Sequence, residues 1–130
     1  MTKEEHVRYW LESAAHDLDA AESLFQSKKY DWCLFLGHLV LEKVLKALYV
    51  NANNNKMPPR IHNLSRLADL SALALTEEQR LFLDKINDFN LDVRYPDYQQ
   101  EFYKQCTRES TEPYFTKIKE YYEWFKSQIT

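Results

Sequence analysis

The chain has 130 residues, 45% of them hydrophobic, with a net charge of −3 and a single glycine. This length fits one domain, residues 1–130, with a core of its own. The acidic balance argues against a protein that coats long nucleic acids, and no apolar run approaches the ~18 residues that span a bilayer. Few glycines and prolines leave few tight turns, which favours long helices over many short strands.

Redox state and compartment follow from two simple features. The polar segment Met1–Glu5 is followed by no apolar run, so no signal peptide is expected. Cys33 and Cys106 lie far apart in sequence and match no metal-ligand spacing. We therefore expect a cytoplasmic protein with reduced thiols, and predict neither a metal nor a cofactor.

The first two helices have clear signals. Helix one is predicted from Lys3 to Gln26, after the capping box Thr2-x-x-Glu5. Helix two is predicted from Tyr30 to Asn51 and is apolar almost all round, which places it at the centre of a bundle. The apolar residues of helix one recur at helical spacing: Val7, Trp10, Leu11, Ala14, Leu18, Ala21, Leu24 and Phe25.

A polar stripe runs along the predicted helix two. Its members are seven, four and four residues apart, so they share one helix face: Asp31, His38, Glu42 and Lys46. Glu42 and Lys46 have the favourable order for an ion pair. The stripe either faces a cleft, a dimer seam or polar partners, or forms the exposed side of the helix. Asp17 of helix one is a further candidate for the same region.

The next segment is basic. From 43 to 68 there are five basic residues and no acid, so this segment carries +5 and the remainder −8: Lys43, Lys46, Lys56, Arg60 and Arg66. Such a patch suits one anionic ligand, although a solvated loop would have the same composition. His62 precedes a predicted helix N-terminus, which favours anions. His6 and His16 are interpreted as surface residues.

Two more helices are predicted before the tyrosine-rich part of the chain. A short third helix runs from Asn63, its N-cap, to about Leu73. The capping box Thr76-x-x-Gln79 opens a fourth, which ends near Val93.

After the fourth helix, a polar connection leads to a last helix that starts between Thr107 and Glu112, with Pro113 in its first turn. The predicted fold is all-α: an antiparallel up-down helical bundle of four long helices and one short helix.

The tetrapeptide Arg94-Tyr95-Pro96-Asp97 lies at the end of the fourth helix. Proline cannot continue a helix, so Arg94 is expected at a rigid helix end, where its guanidinium can bind an anion. Alternatively, Arg94 caps the helix carbonyls or pairs with Asp97. Several other chemistries lack their motifs: the Glu-x-x-His pair of di-iron bundles, a Gly-rich phosphate loop and a nucleophile elbow.

Together these residues resemble a known family, the higher eukaryotes and prokaryotes nucleotide-binding (HEPN) domain. The resemblance covers nearly the whole chain in the right order. The matching segments are Ala15-x-Asp17-Leu18 with Ala21, Glu42-Lys43-x-x-Lys46-Ala47-Leu48, His62-Asn63-Leu64 and Arg94-Tyr95-Pro96-Asp97.

The resemblance implies a helical bundle that forms homodimers and is often encoded beside a minimal nucleotidyltransferase, with which it acts as a toxin–antitoxin pair. Some members are metal-independent ribonucleases, in which an Arg contacts the scissile phosphate and a His, four to six intervening residues later, helps to activate the ribose hydroxyl. This chain has Gln99, Gln100 and Glu101 where that His would fall. Arg94 is therefore carried over and the general base is not.

The sequence thus predicts a homodimeric, nucleotide-binding HEPN-like module that pairs with a minimal nucleotidyltransferase and lacks ribonuclease activity of its own. Two alternatives stay open: an endoribonuclease toxin with a rearranged active site, and a structural dimer with a decayed cleft. The candidate ligand is a nucleotide or an RNA phosphate. The candidate binding residues are Arg94, Lys46, His62, His38, Glu42 and Asp97.

Overall fold

Six helices make up the fold in the computed structural model, which describes the backbone of residues 1–130 and the side chains of all of them except Val93, Arg94, Pro96 and Asp97. No strand occurs along this backbone, so the all-α prediction is confirmed. The helices are α1 (Lys3–Gln26), α2 (Tyr30–Ala52), α3 (Leu64–Leu70), α4 (Glu77–Arg94), α5 (Pro96–Gln105) and α6 (Arg108–Ser127).

Side-chain caps set the beginnings of these helices. The capping boxes predicted at Thr2 and Thr76 both form, and each threonine hydroxyl accepts a hydrogen bond from the backbone three residues later. Asn63 caps α3 as expected, and Thr107 makes a third box at the start of α6. These bonds satisfy N–H groups that have no partner within the helix.

Helix α3 ends at Leu70, three residues before the predicted end. Ala72 has a φ of 59°, and its N–H and that of Leu73 turn back to the carbonyls of Asp69 and Ala68. This is a Schellman ending, which usually carries glycine at the left-handed position. Because alanine stands there instead, the sequence has no visible stop signal.

The predicted polar connection after α4 was wrong, because Pro96–Gln105 forms the helix α5. Of its described side chains only Phe102 is buried. The segment therefore lacks the apolar repeat that reveals a helix in sequence. The placement of Pro113 was also wrong, since α6 begins at Arg108 and Pro113 is its sixth residue.

Helix α2 is the central helix, as predicted. It contacts all five other helices, and most extensively α1. Gly37 lies where α2 meets α6, and a Cβ at this position would lie 2.7 Å from Cδ1 of Ile118. The chain's only glycine thus leaves room for the Ile118 side chain of α6 against the backbone of α2.

Both cysteines are free, and Cys33 is fully buried in the core. Burial raises the pKa of Cys33 to about 12, so its thiol stays protonated. Among the described residues, none of the helices combines the length and apolar character that crossing a membrane requires.

Candidate functional site

The polar stripe of α2 is buried. Its members are no more than 8% exposed: Asp31, His38, Glu42 and Lys46. The alternative that this face is the exposed side of the helix was therefore wrong. Buried charges need partners, because removing them from water costs several kcal/mol per ion. The structure supplies partners for His38, Glu42 and Lys46 from α2 itself, from the segment before α3, and from α4.

Glu42 is the hub of this polar cluster. One carboxylate oxygen, Oε2, accepts a hydrogen bond from Lys46 Nζ at 3.1 Å, and the other, Oε1, accepts one from His62 Nδ1 at 2.8 Å. The Lys46 ammonium also lies 5.3 Å from the centre of the Trp10 ring, a cation–π contact. Lys46 is therefore held inside the protein by Glu42 and Trp10.

His38 is fully buried and neutral. Its Nε2–H donates to the main-chain carbonyl of His62 at 2.9 Å, and a carbonyl can only accept. Its Nδ1 is then free to accept from the Asn90 amide at 3.3 Å. Burial lowers the pKa of His38, and the nearby Glu42 carboxylate opposes this effect only in part. His38 thus joins the stripe to both the loop and α4.

His62 is the one imidazole of the cluster that reaches solvent. Its side chain is 54% exposed, while its Nδ1 is fixed by the buried Glu42 carboxylate. Since the carboxylate accepts, Nδ1 carries the proton, and Nε2 of the neutral ring has a free lone pair. A carboxylate that orients one imidazole nitrogen leaves the other nitrogen able to receive or donate a proton.

The basic segment divides into two groups. Lys43 is paired with Asp17 at 2.6 Å and Lys46 with Glu42, so neither adds net charge to the surface. Asp17 therefore lies against Lys43 rather than in the polar cluster. The other basic residues are exposed, and none forms a salt bridge with a described side chain: Lys56, Arg60 and Arg66. The exposed basic residues of this segment thus lie on both sides of His62 in the sequence.

The remaining predicted residues fall in different places. The side chains of Arg94 and Asp97 lie outside the described residues, so their part in binding stays a prediction. Asp31 lines a surface depression with Gln99 and Tyr103 of α5, away from His62.

The prediction that His6 is a surface residue was wrong. His6 is buried, and its Nδ1 lies 2.9 Å from Oδ1 of Asn55. His16 is exposed, as expected.

Sequence reasoning missed Asn90. It follows Ile86 by four residues, so a helical pattern places it on the core side of α4, and the structure confirms that it is buried. A polar residue within an apolar stripe was the available signal. The N-terminus of α3 is also less open than expected, because Asn87 and Asn63 accept hydrogen bonds from the Leu64 and Arg66 N–H groups.

A family model described as HEPN domain matches residues 7–128 of the chain. The match covers nearly the whole chain, so this protein belongs to the HEPN family, and its domain is a nucleotide- or RNA-related module. Comparisons with curated proteins and with solved structures gave no match.

Proposed function

We propose that this HEPN domain binds a nucleotide or an RNA phosphate next to His62, with Arg94 as a second contact. The observation that supports this most is the solvent-facing imidazole of His62, held by the buried Glu42. Glu42, Lys46 and His38 then act by holding His62 in place, because their polar groups are engaged within the cluster. Exposed Arg60 and Arg66 add positive potential that attracts an anion.

Calorimetry with a panel of ribonucleotides tests this proposal. Arg94→Ala is expected to weaken binding by roughly 1.5–3 kcal/mol, the range for a hydrogen bond to a charged group. Binding should also weaken as salt is added. Arg108→Ala is the matched control, since Arg108 is exposed and pairs with Glu112 of its own helix. No heat with any nucleotide at millimolar concentration, or an equal loss in both variants, would contradict the proposal.

A metal-independent ribonuclease is the second candidate, and the Glu42–His62 pair favours it. In the chain, glutamines and a glutamate occupy the positions where the family's histidine would follow Arg94. His62 supplies an oriented imidazole from another part of the fold. Such a group could activate a ribose 2′-hydroxyl if Arg94 holds the adjacent phosphate.

Cleavage assays separate the two candidates. Ribonuclease activity should persist in a metal chelator, disappear in His62→Ala, and be absent on a substrate with a 2′-deoxyribose at the cleaved position. His16→Ala is the control, because His16 is exposed on α1. If RNA is bound but stays intact with the wild-type chain, binding without catalysis is the correct function.

A homodimer and a minimal nucleotidyltransferase partner complete the proposal. Support comes from large apolar side chains that are exposed on and between α4 and α5: Leu91, Tyr95, Tyr98 and Tyr103. Exposed aromatic side chains of this kind are enriched at protein interfaces. Light scattering at micromolar concentration should give twice the mass of 15.7 kDa. A nucleotidyltransferase encoded beside the gene should co-purify with the chain. A monomeric mass would exclude the dimer, and an empty pull-down would exclude the partner.

A further inference from the structure

A cavity, distinct from the polar cluster, lies where α2, α4, α5 and α6 meet. Its volume is 180 Å³. Leu34, Phe89, Phe102 and Tyr114 form apolar parts of its lining, and Gln105 and Ser110 add polar groups. Sites for whole drug-sized ligands occupy roughly 300–1,000 Å³. This cavity is therefore suited to one flat ring system rather than to a complete nucleotide.

Two opposite charges line the same cavity without a hydrogen-bonded partner. Among the described side chains, the Asp92 carboxylate and the Lys85 ammonium have no hydrogen bond and no salt bridge, although both contribute to the lining. Asp92 is half-buried, and the Lys85 ammonium lies 5.9 Å from the centre of the Phe89 ring. A partly buried carboxylate without a donor is unfavourable, so this arrangement favours a ligand that supplies one.

The two charges specify what such a ring must carry. A carboxylate accepts two hydrogen bonds from adjacent N–H groups, while an ammonium donates to a carbonyl oxygen. Guanine has neighbouring N1–H and N2–H groups beside the O6 carbonyl. Adenine has an acceptor at N1, which would face the carboxylate unfavourably.

We propose that the cavity between α4 and α6 is a guanine-binding pocket, in which Asp92 accepts from the N1–H and N2–H groups and Lys85 donates to O6. The apolar walls cover the ring faces. This inference rests on the proposed nucleotide-binding function, and it names the base and its site.

An adjoining depression provides room for the sugar. It measures 190 Å³ and shares Asp92, Phe102 and Gln105 with the proposed guanine pocket, while Tyr98 and Glu101 complete its lining. The Glu101 carboxylate can accept hydrogen bonds from ribose hydroxyls, as acidic residues do in dinucleotide sites. Two carboxylates in this region repel phosphate, so a phosphate bound to the same nucleotide must point away from it.

The protonation of Asp92 gives the pocket a pH dependence. Partial burial, reinforced by the neighbouring Asp88 carboxylate, raises the pKa of Asp92, and Lys85 opposes this shift. Asp92 can accept both guanine hydrogen bonds only when its carboxyl group is ionised. Guanine binding should therefore weaken as the pH falls through this raised pKa.

The test measures binding of guanosine, inosine and adenosine to the intact chain by calorimetry. Inosine lacks the 2-amino group, so the affinities should fall in the order guanosine, inosine, adenosine, with guanosine at least about tenfold tighter than adenosine. Asp92→Asn should reduce guanosine affinity by about tenfold or more and remove the preference over inosine. Asp88→Asn is the matched control, since it removes the same charge one turn away at an exposed position.

Thermal unfolding of both variants excludes misfolding as the cause, because removing a partly buried carboxylate should leave Asp92→Asn at least as stable as the wild type at neutral pH. Guanosine that fails to bind at millimolar concentration, or binds Asp92→Asn as well as wild type, would overturn the pocket.

Failure of the base pocket and failure of the phosphate contact give different results. If GMP and AMP bind equally and both require Arg94, the phosphate contact stands and the pocket is wrong. If guanosine binds in an Asp92-dependent way and GMP binds no tighter, the pocket stands and the phosphate contact is wrong.

Discussion

Glu42→Gln is expected to be among the most destabilising conservative substitutions in this protein. The change keeps the shape of the side chain and removes one charge from a buried pair. Lys46 Nζ lies 3.1 Å from Glu42 Oε2, and neither residue is more than 8% exposed. The substitution would leave the Lys46 ammonium inside the protein without its counter-ion, and His62 with a weaker acceptor.

The expected cost follows from this geometry. Two unit charges 3.1 Å apart attract by about 5 kcal/mol at an effective dielectric constant of ~20. Breaking a buried pair on one side costs roughly 3–5 kcal/mol. Because the Trp10 ring still contacts the Lys46 ammonium in the variant, we expect a loss at the low end of this range, about 3 kcal/mol, in the free energy of unfolding.

Urea unfolding followed by circular dichroism measures this loss. Glu22→Gln is the matched control, since Glu22 and Lys119 are 3.0 Å apart but both are about two-fifths exposed. It should cost less than about 1 kcal/mol. In the double variant Glu42→Gln/Lys46→Met no charge is left unpaired, so most of the lost stability should return. A cost for Glu42→Gln no larger than that of the control would refute the reasoning.

Two further predictions concern pH and a helix end. Because burial lowers the pKa of His38, the unfolded chain binds its proton first, and stability should fall as the pH drops through ~6.5. His38→Gln should flatten this dependence in urea unfolding experiments at several pH values. Lys28 ends α1 in a Schellman turn with φ 64°, so Lys28→Gly should raise the free energy of unfolding by ~0.5–1 kcal/mol in urea. A loss of stability in Lys28→Gly would show that this backbone conformation carries no strain.

Local signals predicted much of the fold. The bounds of α1 came from the box at Thr2 and the apolar stripe, and both are side-chain patterns that act within a few residues. The ending of α3 has alanine in the left-handed conformation and carries no such signal, which is why the end of this helix was misplaced. Helix α5 was missed because its buried contact comes from Phe102 rather than from a repeated stripe.

Only the part of the site that lies within one helix was predictable from the sequence. Helical spacing alone placed His38, Glu42 and Lys46 on one face. Burial of that face, and the arrival of His62 from twenty residues along the chain, depend on how the loop before α3 packs. Such contacts between distant segments leave no periodic pattern in a single sequence. The placement of Asn90 against His38 depends equally on the packing of α4 against α2.

The double attachment of His62 links the site to the opening of one loop. α2 holds this residue twice, through its carbonyl by His38 and through its ring by Glu42. If the segment between α2 and α3 detaches, both bonds break together and the surface imidazole loses its orientation, while the α1–α2 packing can persist. A ligand bound at His62 should therefore slow amide hydrogen exchange in that segment. The slowing should grow with the ratio of the ligand concentration to its dissociation constant.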